Sequence, residues 1–171
     1  MTPDHQTLAL PSTLQAAVQD LAQAGSRDAI VSFEANRMRV ISYGDLAAEV
    51  ERRARRLVHA GVGPGDAVIL CGPGGADWIM ACLAVLHCGA CVVPVDATLG
   101  AESFRHVLRD SGARIALVAQ SSALRLHRPL EQQGVRVLPM AQDDAPDDSR
   151  ETTFARVGPG DRAILFYTSG T

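Results

Sequence analysis

The sequence predicts an α/β fold built on a mostly parallel, helix-flanked sheet, and three features of its 171 residues carry that prediction. From residue 63 onward short apolar strands alternate with helices, a pattern that right-handed crossovers turn into a parallel sheet. The strands are continuous apolar runs, as burial on both faces requires. Glycines at 25, 61 and 89 follow helical stretches as stop signals.

Taken in order, Ser12 or Thr13 can cap a first helix whose apolar side is Leu14, Ala17, Val18 and Leu21. Residues 29–34 and 38–41 are two short strands, with Glu34-Ala35-Asn36-Arg37 as a hairpin turn between them. Ser42 starts a second helix, and Asp45 makes a weak capping box with it. Leu46, Val50, Ala54, Leu57 and Val58 form its apolar face. Glu49, Arg52, Arg53 and Arg56 are expected on the solvated side, and their helical spacing argues against a phosphate site. Gly63-Pro64-Gly65-Asp66 is a turn, 67–71 a strand, Gly72-Pro73-Gly74-Gly75 a loop, and 76–88 an almost wholly apolar helix. A strand over 90–95 is followed by a helix over 102–111 with Phe104, Val107 and Leu108 inward. Strands at 114–119 and 135–138 flank a helix at 122–133, in which Pro129 sits awkwardly. Residues 142–153 are polar, acidic and proline-containing, and read as a loop or linker. Residues 162–168 form the last strand, from which Ser169-Gly170-Thr171 open a loop. The string Val62-Gly63-Pro64-Gly65-Asp66 returns as Val157-Gly158-Pro159-Gly160-Asp161 without matching flanks, so one turn is used twice and no unit is duplicated.

The length fits one domain able to bury a core. With 47% hydrophobic and 20% charged residues the chain is globular, and a formal charge of -3 gives no pull toward nucleic acid or anionic membranes. All 16 basic residues are arginine, which excludes a Walker A loop because its lysine reaches the phosphates. Residues 1–6 show no leader pattern and no apolar stretch reaches spanning length, so no membrane span is expected and the expected location is the cytoplasm. Cys88-Gly89-Ala90-Cys91 has redox-pair spacing, but it lies at a helix C-terminus, where the dipole opposes a thiolate. Buried, inert cysteines are expected instead, and no metal centre is assigned. The five histidines are scattered and expected at the surface or at caps, and Trp78 and the other aromatics in the core.

In a parallel sheet ligands bind beyond the carboxyl ends of the strands. Here those ends are Cys71-Gly72, Pro94-Val95-Asp96 and Thr168-Ser169-Gly170-Thr171. Asp96 is read as a helix cap or turn, and Gly72-Pro73-Gly74-Gly75 as a structural turn. Gly158-Pro159-Gly160-Asp161-Arg162-Ala163 matches a dinucleotide fingerprint only formally, since it precedes a strand. Ile164-Leu165-Phe166-Tyr167-Thr168-Ser169-Gly170-Thr171 is the strongest local signal: an apolar strand delivers hydroxyls and a glycine to the sheet edge. By itself such a string can be a polar turn or an anion-binding one.

Tyr167-Thr168-Ser169-Gly170-Thr171 resembles the opening of the signature loop of the adenylate-forming (AMP-binding) superfamily. That group includes acyl-CoA synthetases, fatty acyl-AMP ligases, peptide-synthetase adenylation domains and firefly-type luciferases. Ile41-Ser42-Tyr43-Gly44-Asp45-Leu46, the turn and strand from Gly61 to Val68, and the helix and strand from Trp78 to Asp96 resemble further motifs of the family in the same order. The resemblance implies that residues 1–171 are the incomplete N-terminal portion of the large adenylate-forming domain. It implies an enzyme using ATP and magnesium to convert a carboxylic acid to an acyl-adenylate, for transfer to a CoA or carrier-protein thiol. Thr168, Ser169, Gly170 and Thr171 would hold the ATP phosphates. The family's catalytic lysine and its remaining site lie downstream, so no catalytic residue is assigned and the chain alone is expected to be inactive. Rival readings are a non-catalytic remnant or interaction module of the same fold, and a thiol redox protein using Cys88 and Cys91.

Overall fold

The computed structural model describes residues 11–34, 37–141 and 152–168. Thr13 caps helix α1 (Leu14–Gln19) by accepting the Ala16 N–H at 3.0 Å. A 3-10 turn over Asp20–Ala24 then tightens what the sequence predicts as one continuous helix. Its inward phase also differs. Leu14 is 47% exposed, whereas Gln15 is buried, with its side-chain amide donating to the carbonyls of His87 and Ala155 and accepting the Val157 N–H.

Strands β1 (Asp28–Glu34) and β2 (Arg37–Ser42) pair antiparallel, with Ile30 opposite Ile41, Val31 opposite Val40 and Phe33 opposite Met38. The two isoleucines pack on the core, and the other four side chains face outward. The predicted turn residues Ala35 and Asn36 lie outside the described residues. Ser42 caps helix α2 (Tyr43–His59), accepting the Asp45 N–H at 3.1 Å and donating its hydroxyl to the Asp45 carboxylate at 2.7 Å.

The main sheet runs β4 (Cys91–Pro94), β3 (Ala67–Cys71), β5 (Ile115–Val118) and β6 (Arg136–Pro139), with every pair parallel. Side chains alternate across it. Val68, Leu70, Val92 and Leu117 pack against α2 and α3 (Ala76–His87). Ile69, Cys71, Val93, Ala116 and Val118 pack against α4 (Ala101–Ser111) and α5 (Gln120–Gln132). Burial on both faces is the reason these strands read as unbroken apolar runs. Helix α5 continues through Pro129, and the burial of Leu126 and Leu130 against the sheet offsets the hydrogen bond that proline removes.

Three sequence expectations are corrected. Arg53, assigned to a solvated face, is only 5% exposed and bonds Glu49, Asp77 and the Met140 carbonyl. Residues 162–168 form no laddered strand; one parallel bridge, Ile164 to Val92, attaches them outside β4. Phe33 and Phe166 are exposed, although Phe104 is buried and Trp78 and Phe154 pack on the core as expected. Of the predicted acidic loop, residues 142–151 lie outside the described residues.

Candidate functional site

The candidate site lies at the carboxyl edge of the sheet. Val92 donates its N–H to Ala163 O at 2.9 Å and accepts the Leu165 N–H at 2.9 Å, so the 163–165 segment lies along β4. Two residues further, Tyr167 and Thr168 line a cleft of about 670 Å³ together with Pro94, Asp96, Leu99 and His106. Thr168 is exposed there, and Ser169, Gly170 and Thr171 lie outside the described residues.

Helix α4 forms the cleft's far wall. The Tyr167 hydroxyl donates to Asp110 Oδ2 at 2.5 Å, and its ring stands edge-on to His106, with centroids 6.3 Å apart. Loss of water and then the neighbouring Asp110 carboxylate push the Tyr167 phenol up to about 12, so it is a donor throughout the neutral range. Sequence reading missed His106 and Asp110. Their signal was present, since they sit four residues apart on α4, the helix whose Phe104, Val107 and Leu108 face inward.

Asp96 forms a turn, as expected. Its Oδ1 accepts the Thr98 N–H at 2.6 Å and the Thr98 hydroxyl at 2.7 Å, and these bonds hold the carboxyl below its usual range. It borders a second crevice of about 600 Å³, lined also by Gly72, Pro73, Trp78, Ser121 and Ser122. This crevice lies where the chain, having passed from β3 to β4 on one side, crosses back to β5 on the other. Gly72 is a matter of space: an added Cβ would lie 2.5 Å from Ala119 Cβ and 2.9 Å from Met140 Cε. At the opposite edge a cleft of about 320 Å³ borders Gln15, whose amide is engaged at both ends.

Cys88 and Cys91 are free and buried. Burial pushes the Cys88 thiol up to about 12 and raises Cys91 as well, which removes the thiolate that redox exchange needs. His87 is the exception among the described histidines: half-buried, its pKa lowered by that burial, it stacks edge-on with Phe154 at 4.3 Å. Among the described residues no group of three or more His, Cys, Asp or Glu could hold a metal ion. No described helix is long and apolar enough to cross a membrane.

Comparison with known proteins fits this arrangement. Residues 18–171 match the family of AMP-binding enzymes. The phosphinothricin tripeptide synthetase of Streptomyces viridochromogenes is 34% identical over 133 residues, 77% of this chain and 11% of that protein. The feruloyl-CoA synthase of an Amycolatopsis species is 34% identical over 131 residues, again 77% of this chain, and 26% of its own length. Among solved structures, the long-chain-fatty-acid-CoA ligase of Archaeoglobus fulgidus superposes with a TM-score of 0.77 at 24% identity, over 96% of this chain and 36% of that one. The L. pneumophila fatty acyl-adenylate ligase, solved with acyl adenylate and pyrophosphate, gives 0.74 at 20% identity, over 94% of this chain and 29% of that one. The chain thus spans about a tenth to a quarter of these two curated relatives, with the parallel sheet and helices of the N-terminal part of the ligase structures. By the match over residues 18–171, this chain belongs to the AMP-binding enzyme family.

Proposed function

We propose that this chain is the N-terminal part of an AMP-forming ligase that activates a carboxylic acid with ATP. In that reaction a carboxylate oxygen bonds to the α-phosphorus. The bond from that phosphorus to the bridging oxygen of the β-phosphate breaks, and pyrophosphate leaves with the electron pair. A thiol of CoA or of a carrier protein then displaces AMP from the acyl-adenylate, giving up its proton. The observation that carries the reading is the Ile164–Val92 bridge, which brings Thr168 to the carboxyl edge beside an open cleft. Ligands of open α/β sheets bind at that edge. The role proposed for Thr168, Ser169, Gly170 and Thr171 is to donate hydroxyl and backbone N–H groups to the β- and γ-phosphates. Such donors position the triphosphate and stabilise charge as pyrophosphate departs; they neither give nor take a proton. Relatives that include both a peptide synthetase and a CoA synthase leave the thiol acceptor as either kind.

The test is ATP–pyrophosphate exchange in a protein that carries this chain within a whole ligase. Thr168→Ala and Ser169→Ala are expected to slow exchange by up to about 10²–10³-fold, the effect of removing one oxyanion-type donor, with little change in affinity for the acid. Unchanged exchange in both variants would remove the phosphate-binding role. The 171 residues alone, which contain no lysine, are expected to show no exchange with a panel of fatty, aryl and amino acids.

A further inference from the structure

The segment leading to Thr168 is held to the sheet at one place. Its backbone bonds are those of Val92 with Ala163 and Leu165, and no backbone–backbone hydrogen bond of residues 166–168 is found among the described residues. Side chains alternate beyond that point. Ile164 and Phe166 face outward at 36% and 69% exposure, while Leu165 and Tyr167 pack against the cluster that contains Phe104, Val107 and Leu108. The last described anchor before Thr168 is therefore the Tyr167 side chain. Its hydroxyl reaches Asp110 Oδ2 at 2.5 Å, and its ring meets His106 edge-on at 6.3 Å. Asp110 lies in the last turn of α4, a helix fixed to the sheet by three buried side chains.

We infer that Asp110 is a positioning residue for Thr168, acting through the Tyr167 hydroxyl; the phosphate role of Thr168 rests on the function proposed above. Phenylalanine would fill the same volume at 167, so among the described residues it is the bond to Asp110 that calls for a hydroxyl. A hydrogen bond to a carboxylate is about twice as strong as a neutral one, which suits a single tether. The phenol, pushed up to about 12 by desolvation and by Asp110, keeps its proton and hence the bond through the neutral range. Without the tether, residues 166–168 would pivot about Leu165 and Thr168 would lose its fixed place beside Asp96 and His106 in the cleft.

The test uses selectively labelled NMR of a whole ligase that carries this chain, in which the Tyr167 and Thr168 signals are assigned by substitution; this chain contributes two tyrosines. In the unmodified chain the Tyr167 ring should hold one orientation beside His106 and the Thr168 amide should be ordered. Asp110→Ala should free the Tyr167 ring, and both Asp110→Ala and Tyr167→Phe should loosen Thr168. Asp110→Glu should recover part of the order. Titration with inorganic pyrophosphate should show binding weakened about tenfold by either substitution and no further by the two together, as for one shared bond. Thr168 equally ordered in all variants would overturn the inference, as would a double substitution whose effect is the product of the singles. If the unmodified chain fails to bind pyrophosphate while Thr168 order still depends on Asp110, the phosphate reading fails and the tether stands.

Discussion

Arg53 lies on the buried face of α2, with Nε on Glu49 Oε1, Nη2 on Asp77 Oδ1 at 2.9 Å and Nη1 on Met140 O at 3.0 Å. One planar fork thus ties α2 to the first turn of α3 and to the residue after β6. Its position was readable, because residue 53 falls three after Val50 and four before Leu57, on the apolar stripe itself. Charge argues for the solvated side and helical phase for the buried one, and phase prevails. Arg53→Met is expected to cost about 1–3 kcal/mol, because it leaves the Met140 carbonyl and Asp77 without this donor and Glu49 with Arg52 alone. Urea denaturation would measure it, and a loss within error of zero would show that the guanidinium holds nothing. Burial works against the charged form of Glu49, but the bonds and charges of Arg52 and Arg53 outweigh it and lower its pKa. A carboxyl lowered on folding stabilises the native state above its unfolded pKa, and that stability drains away as pH falls through the lowered value. Acid should therefore destabilise the native chain in that range, and less so after Arg53→Met.

At the scale of elements, the contact between the β3–α3 loop and the start of α5 depends on Gly72. A methyl there would sit 2.5 Å from Ala119 Cβ, closer than side-chain carbons approach. Gly74, two residues on in the same loop, has nothing within 4 Å of an added Cβ. Gly72→Ala is expected to destabilise by about 1–3 kcal/mol, as overpacking does, and Gly74→Ala to stay within about 0.5 kcal/mol. Thermal unfolding of the pair reads the difference, and equal midpoints would mean that the loop yields without cost. The same reasoning explains why a glycine-rich loop before a helix misleads sequence reading. Gly72 serves close packing at the sheet edge, and the helix that follows is capped by Gly75 with no side-chain hydrogen bond.

For the whole molecule, apolar surface is left over in two places. Val31, Phe33, Met38 and Val40 form a cross-strand quartet on the outer face of the hairpin, and Phe166 stands 69% exposed beside the bridge at Ile164. The 162–168 segment also has an outer side unpaired among the described residues. Exposed apolar strands with a free edge template pairing between chains. The 171-residue chain is expected to self-associate at micromolar concentration, and Phe33→Ser with Phe166→Ser to reduce this without lowering the unfolding midpoint. Light scattering and size exclusion decide it; a monodisperse monomer with one sharp transition would mean that the exposed surface needs no cover.

The sequence by itself determined the alternation of strand and helix from residue 63, the parallel sheet, most helix boundaries to within a residue or two, and the strand ends where a ligand could sit. These are local matters: apolar period, capping residues and glycine stops act over one or two turns of chain. The burial expected of Cys88 and Cys91 is also found, and it is this burial that raises their thiols. The tertiary structure decided what depends on residues far apart in the chain. It put the 163–165 segment beside β4 by two hydrogen bonds, where sequence reading saw an ordinary strand with no stated neighbour. It drew Arg53 inward to Asp77 and Met140, turned Phe33 and Phe166 outward, and set Asp110 against Tyr167, 57 residues away. Hydrophobic periodicity says which side of an element is buried, but which polar group meets which depends on the order in which strands assemble, and that order is fixed only when the whole sheet closes on its helices.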